Sequence, residues 1–334
     1  MNDNGCTDMS MNAGMSSAAA EGETADGTAP VMPRTERTAA RVLAHRSIDS
    51  TNSEARRLLL NGDLRTACGE IAVIAADVQT AGRGRLDHAW VSRPGESFIV
   101  TFVASVPRSL AVDASVNGWL QMTAGLAAVD GLREAMGECG ATPIAHAADQ
   151  GAGDRFMLKW PNDVFLDGRK LGGILSEMAP LQQGGESGKR DGDPDRAPAP
   201  DRIAIIFGIG LNLAIPAEHL PTSQSTSLQL HYAPLPAPEP LRDLIAAHIA
   251  ASLGSRLRRL ETDRVREAER ARGETARICY TLGRHAVAHF TDGTEMEGEA
   301  VGLNADASLD LRTPDGIVRT IRTADVGVLP EPCV

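Results

Sequence analysis

Two arginines stand between and after glycines in the run Gly82, Arg83, Gly84, Arg85, just after an apolar stretch that ends near Gln79. Glycine lets backbone amides turn toward a ligand, and arginine offers a planar five-donor fork that fits carboxylate or phosphate. The stretch suits an anion, although alone it also fits a flexible, solvated basic loop. Three more stretches combine small polar residues or glycine with charge or amide groups. They are "DSTN" (49–52), "KWPNDVFLDGRKLGGILSEM" (159–178) and "GIGLNL" (208–213).

In the longest of these, Pro161 removes a backbone donor and restrains Trp160 to an extended form. Asn162 and Asp163 then present an amide and a carboxylate from a turn. The "DG" at 167–168 reads as a hairpin that returns Lys170 beside both. Gly172 and Gly173 inside a strand suggest close approach of a ligand or of another backbone. A surface hairpin with charged ends would use the same residues; the recurrence of such stretches favours a site. "STN" alone is a helix cap, and "GIGLNL" alone could be a strand whose glycines serve packing only.

The bulk of the chain bounds what the site can serve. Of 334 residues, 33 are Lys or Arg and 44 Asp or Glu, for a net charge of −11. So acidic a protein is a poor general binder of nucleic acid or anionic membrane, and basic groups in a site must be local features. Few Phe and Tyr leave little stacking surface for single strands. Five cysteines (Cys6, Cys68, Cys139, Cys279, Cys333) without a CxxC spacing argue against a disulfide framework and a cysteine zinc site. His285 and His289 alternate as on a strand, with no acidic or thiol partner nearby in sequence, which argues against a metal there. No apolar run approaches ~18 residues, and no basic start precedes an apolar block, so a reducing cytoplasm is the default expectation.

These residues need a scaffold. Residues 1–36 read as a disordered tail, 181–200 as a surface loop and 145–154 as a smaller one. Strands are expected at 71–77, 97–104, 170–178 and 203–214. Helices are expected at 50–62, 114–136 and 240–272, the last with a mixed-charge solvated face over 255–272. Ser50 or Thr51 is the natural N-cap of the first, with Glu54 placed for a capping box. From 277 to 330 the "DG", "LNAD" and "PDG" turns indicate a small all-β module. The expectation is an α+β domain over 37–272 followed by a small barrel.

Taken together and in order, "DSTNSEA", "QTAGRGR", "KWPNDVFLDGRKLGGILSEM", "GIGLNL" and "STSL" (225–228) resemble the biotin protein ligase family, the biotin–acetyl-CoA-carboxylase ligases, over about 45–330. The resemblance implies a class II synthetase-like α+β catalytic domain with a mixed β-sheet, followed by an SH3-like β-barrel. It implies a two-step reaction. The biotin carboxylate attacks the α-phosphate of ATP, giving biotinyl-5′-AMP and pyrophosphate; a lysine of a biotin carboxyl carrier domain then attacks that anhydride and releases AMP. Setting a carboxylate against a triphosphate calls for fixed cations, which is what the arginine stretch would supply, with Mg²⁺ entering on ATP rather than in a fixed protein site.

By the same resemblance, Ser50, Thr51 and Gln79 face the biotin ureido ring, with Asn52 in the same motif. Arg83, Gly84 and Arg85 belong to the loop that orders over biotin and the adenylate, with Arg85 holding the intermediate. Gly82 and Trp90 flank that loop near the adenylate. Lys170 contacts the biotin carboxylate and the transferring phosphate. Lys159, Asn162 and Asp163 line the nucleotide and acceptor side, Asp163 as the group to orient the acceptor amine or Mg²⁺. Asn212 reads adenine, and Gly172 and Gly208 leave room for backbone contact. Many family members place a glycine and a basic residue where Asp87 and His88 stand here. Some bacterial members carry an N-terminal helix-turn-helix domain, which needs ~60 structured residues. Only 49 residues precede Ser50, so a monofunctional ligase is expected. The implied partners are biotin, ATP and the carrier domain, without DNA or membrane; a homodimer stays open. A lipoate or octanoate protein ligase, or a biotin-sensing regulator, are the competing readings.

Overall fold

Strands read from apolar runs must find partners on both faces, and that need organises the chain. The computed structural model describes residues 28–85, 89–144, 154–181, 201–322 and 324–328. In chain order the elements are α1 (Pro33–Thr38), β1 (Arg41–Ile48), α2 (Thr51–Asn61), β2 (Ala72–Gln79), β3 (Ser97–Pro107), α3 (Arg108–Ala111), α4 (Gly118–Glu138), β4 (Thr142–Pro143) and β5 (Phe156–Lys159). There follow β6 (Asp163–Leu166), β7 (Arg169–Pro180), β8 (Arg202–Asn212), β9 (Tyr232–Ala233), α5 (Pro238–Thr262) and α6 (Arg264–Ile278). The last are β10 (His285–His289), β11 (Glu295–Leu303), β12 (Leu309–Arg312), β13 (Val318–Ile321) and β14 (Asp325–Val328).

Seven strands form the main sheet in the order β1-β2-β3-β8-β7-β6-β5. The β1–β2 pair is parallel and the remaining pairs are antiparallel, so the sheet is mixed, as expected. Period-two alternation splits its apolar residues between two layers. Val73, Val100, Phe102 and Phe207 pack with α4 and α5, while Ala72, Ile74, Val103 and Ile206 pack with Ala55 and Leu59 of α2. The chain is therefore α+β, with α2 alone on the side where its N-terminus meets the sheet.

The C-terminal strands make one antiparallel sheet in the order β13-β12-β11-β10-β14. It shares a continuous core with the main domain through Ala286, Leu309 and Val326. Trp160 joins the two: its indole N–H donates to the Ala307 carbonyl (2.8 Å) and its backbone N–H to Thr281 Oγ1 (3.0 Å).

Several expectations are corrected. α1 begins at Pro33, inside the stretch expected as a disordered tail, and Met32 and Thr35 are buried. The distant Asp243 carboxylate accepts the Arg34 and Thr35 backbone N–H groups, each at 2.9 Å, and so caps this short helix from outside the local sequence. Residues 1–27 and the loops at 145–153 and 182–200 lie outside the described residues. The long helix expected over 240–272 breaks at Asp263, whose carboxylate caps α6 by accepting from Arg266 N (3.2 Å). β1 escapes the sequence reading because its apolar run is only Val42–Ala44, followed by His45, Arg46 and Ser47 on an edge strand with no fully buried residue. His289 and His285 do face acidic partners, Glu295 at 2.9 Å and Glu297 at 4.0 Å, across the β10–β11 ladder.

One buried ion pair ties α5 to the sheet beside the site. Arg242 donates to Asp77 Oδ1 (2.8 Å) and to the Ser97 carbonyl (3.1 Å), and the same Asp77 oxygen accepts Gly95 N (2.9 Å). Both residues are buried, so truncation of one strands the other's charge. Arg242→Ala should lower the unfolding free energy by about 3–5 kcal/mol in urea titration; a loss below about 1 kcal/mol would show the pair to be dispensable.

Candidate active site

The β6–β7 hairpin sets the charged centre. Its two-residue turn, Asp167 (φ 48°) and Gly168 (φ 76°), has positive φ at both positions, as a type I′ hairpin requires. A bulge then decides which face Lys170 occupies. Val164 pairs with Gly172 but Phe165 pairs with Lys170, which leaves Leu171 as the extra residue. In an unbulged ladder Leu171 would pair with Phe165, and Lys170 would stand on the opposite face from Gly173, whose cross-strand partner is Asp163. With it, Lys170 Nζ reaches Asp163 Oδ1 at 2.8 Å. Lys159, opposite Asp163 on β5, brings its ammonium to 3.5 Å from Oδ2. Two ammonium groups thus share one largely buried carboxylate. Lys170 backbone is clasped in turn: its N–H donates to Gln224 O and its carbonyl accepts Thr226 N, both at 2.8 Å.

The opposite wall is the start of α2. Ser50 is its N-cap, with Oγ accepting from Ser53 N at 3.4 Å. The capping box expected with Glu54 is not made. Glu54 instead accepts from Arg57 (2.8 Å), and the Ser50 N–H goes to Asp49 Oδ1 (2.7 Å), a nearer acceptor. Hydrogen bonding to Arg57 holds the Asp49 carboxyl down at about 2, so it stays ionised at the positive end of the helix. Thr51 N–H and Oγ1 both donate to Gln79 Oε1 (2.8 and 3.1 Å). That fixes the amide's orientation and leaves its N–H₂ as the group to be offered to a carbonyl ligand. Asn52 is committed to protein partners, donating to Leu175 O (3.2 Å) and Glu177 Oε2 (2.9 Å) and accepting from Thr101 (2.7 Å). It braces the wall.

The arginine stretch closes on itself as a narrow ladder. Trp90 N donates to Gly82 O (2.9 Å), and Arg83 pairs with Ala89. The two arginines diverge. Arg83 turns to Ser53 Oγ (3.3 Å) and lies 3.8 Å from Glu177, whereas Arg85 crosses to Asn162 Oδ1 (3.1 Å) and to the Ala324 carbonyl beside β14 (3.3 Å). Asn162 passes the link on by donating to Ile174 O (3.1 Å). Asp87 and His88 lie outside the described residues.

These walls enclose a cavity of about 720 Å³, within the range of small-molecule sites. Ser50, Thr51, Asn52, Gln79, Arg83, Gly84, Arg85, Trp90, Lys159, Asn162, Asp163, Lys170, Gly172, Gly208 and Asn212 all border it. Gly82 does not; it packs beneath the Trp90 carbonyl. Asn212 spends its amide N–H on Thr226 O (2.9 Å), bracing the segment that clasps Lys170. The close approach at two β8 glycines is to protein. A Cβ at Gly208 would fall 2.3 Å from Asn52 Oδ1, and one at Gly210 would fall 2.6 Å from the Trp90 ring. Gly210, Thr101, Glu177 and Gln224 were missed in sequence. The two-residue spacing of Gly208 and Gly210, which puts both on one strand face, was the available signal for the first.

The fold is that of the biotin protein ligases: the enzyme from Aquifex aeolicus, solved in complex with biotin and ATP, matches 87% of this chain and 98% of its own with a TM-score of 0.57 at 21% identity. In sequence, residues 44–186 match the model of the Biotin/lipoate A/B protein ligase family. The biotin–[acetyl-CoA-carboxylase] ligase of Mycobacterium tuberculosis is 30% identical over 204 residues, 59% of this chain and 60% of its own. That of Paracoccus denitrificans is 34% identical over 168 residues, 50% and 52%. The matches thus span only about half to three-fifths of those relatives.

The Trp90 seat makes a direct test. Among the three tryptophans, Trp119 and Trp160 are buried in the core. Gly210→Ala should push the Trp90 ring out and red-shift tryptophan emission, with a Trp90→Phe control losing that component. An unchanged spectrum would show that Trp90 does not rest on Gly210.

Proposed function

We propose that this chain is an ATP-dependent biotin ligase that modifies a specific lysine of a biotin carboxyl carrier domain through a biotinyl-5′-AMP intermediate. The observation that carries it is the convergence of Lys159, Asp163 and Lys170 with the Arg85–Asn162 link, facing the Thr51–Gln79 hydrogen-bonding wall across one cavity. The distances and partners suit a neutral cyclic urea at one end and two anions meeting at the other. The two curated relatives named above are biotin–[acetyl-CoA-carboxylase] ligases, which supports the same reading.

The ureido carbonyl would be met by the Gln79 N–H₂, with Ser50 and Thr51 beside it. The biotin carboxylate and the ATP α-phosphate repel each other, and Lys170 is the ammonium placed to offset that charge as it concentrates in the transition state. On leaving Asp163, Lys170 frees that carboxylate to orient the incoming lysine amine. Arg85 would hold the anhydride, and its anchorage on the C-terminal sheet would keep water and stray amines out until the carrier docks. Mg²⁺ would enter on the phosphates. The protein's own contribution would be the Asp163 carboxylate, which lines the cavity beside Lys159 and Lys170.

Lys170→Ala should cut biotin-dependent ATP–pyrophosphate exchange by about 30-fold or more, as expected when a buried anion loses its charge partner at about 2–5 kcal/mol. Near-normal exchange would refute its role. Arg85→Gly should still form the adenylate but release it, so that bystander proteins become biotinylated in a mixture; labelling confined to the carrier domain would count against this. Wild-type protein offered biotin and lipoate in competition should transfer biotin; transfer of lipoate alone would replace the substrate.

A further inference from the structure

Behind the wall that carries Lys170, polar side chains form one hydrogen-bonded line. Asp167, in the β6–β7 turn, receives Arg155 Nε at Oδ1 (2.8 Å) and a second Arg155 nitrogen at Oδ2. Asp167 Oδ2 lies 2.6 Å from His231 Nδ1, and His231 Nε2 lies 2.6 Å from Thr226 Oγ1. The Asp167 and His231 side chains are only 4% and 12% exposed, and Thr226 is buried. None of the three borders the cavity.

The line has one internally consistent polarity. Burial opposes the Asp167 charge, but Arg155 and His231 outweigh it and hold the carboxyl below its usual range. Burial pushes the His231 imidazole down; Asp167 pulls it up, while Arg155 and Arg169 add to the lowering. The imidazole is therefore neutral, with its proton on Nδ1 facing the carboxylate. Nε2 is then an acceptor, and the Thr226 hydroxyl must donate to it. Each group has one orientation that satisfies its neighbours, so Thr226 cannot turn without breaking the chain.

Thr226 is also where this line meets the active site. Its backbone N–H donates to the Lys170 carbonyl (2.8 Å), its carbonyl accepts Asn212 Nδ2 (2.9 Å), and two residues earlier Gln224 O accepts Lys170 N (2.8 Å). Lys170 stands just before the bulge and beyond the end of the β7–β8 pairing at Gly172, so segment 224–226, bridged to it in parallel through Ser225, is the backbone partner on that side.

We infer that His231, through Asp167 on one side and Thr226 on the other, is a positioning residue that fixes the reach of the Lys170 ammonium. This rests on the function proposed above. Misplacement of a reacting group by about 1 Å can cost about 100-fold in rate, so the line can govern catalysis without touching substrate. The biotin ureido wall lies on α2 and β2, and a fault at Thr226 leaves it in place.

The test compares wild type with His231→Ala, Thr226→Val and Thr226→Ser in biotin-dependent ATP–pyrophosphate exchange. Thr226→Val preserves shape and removes only the hydroxyl donor. Thr226→Val and His231→Ala should each lower kcat at least tenfold with less than a twofold change in the KM for biotin, and Thr226→Ser should stay within twofold of wild type. Unchanged kcat in Thr226→Val, an equal change in KM, or failure of Thr226→Ser to retain rate would overturn the inference. A second readout stands apart from activity: the NMR resonance of ¹³C-methylated Lys170, assigned by its loss in Lys170→Arg, should move in Thr226→Val and not in Thr226→Ser. If wild type shows no exchange, the functional reading fails, and this resonance alone decides the positioning: a shift supports it, an unmoved signal overturns it.

Discussion

Two ammonium groups around one carboxylate are a costly arrangement unless something is gained from their concentration. Lys159 and Lys170 both lean on Asp163, which carries half the charge needed to neutralise them. The pairing keeps two like charges close together in a partly buried place, where Coulomb forces are stronger than in water. The remaining structure follows from holding that cluster. The Asp167–Gly168 turn brings the strands together, the Leu171 bulge turns Lys170 to the correct face, and segment 224–226 holds the Lys170 backbone where the pairing of β7 with β8 has ended. An acidic protein of net charge −11 thereby keeps a local positive centre.

The C-terminal sheet takes part in the same centre. Trp160 opens the "KWPND" turn and hangs from Ala307 and Thr281, while Arg85 spans from the glycine loop to Asn162 and Ala324. Loop, hairpin and C-terminal sheet therefore meet at Arg85, and the Asn162 amide that it grips is fixed at its other end by Ile174. Any movement of the loop changes contacts with the other two. Such coupling suits chemistry in which a reactive intermediate must be kept from water until an acceptor arrives.

Much of this was legible in residue order. "DG" between strand-like runs specified the hairpin, and the return of Lys170 beside Asp163 followed from it. "STN" gave both the cap and the wall that holds Gln79. What stayed hidden was set by partners distant in sequence. Asp243 caps a helix more than two hundred residues earlier, so α1 read as tail. The face occupied by Lys170 depends on a single bulged residue, which alternation does not reveal. Asn52 and Gly208 both border the cavity, but their own contact, with the amide filling the space above the glycine, was not visible in the motifs. His231 carried no motif, because its meaning comes from Asp167, sixty-four positions away.

If these cations hold an acyl-adenylate, they must turn toward it when it binds. A crystal structure of the complex with biotinyl-5′-AMP measures it most directly. In that complex Lys170 Nζ should have moved from Asp163 to hydrogen-bonding distance of the phosphate, with Arg85 closed over the same group. Lys170 still paired with Asp163, and Arg83 and Arg85 both directed to bulk solvent around a bound adenylate, would contradict it.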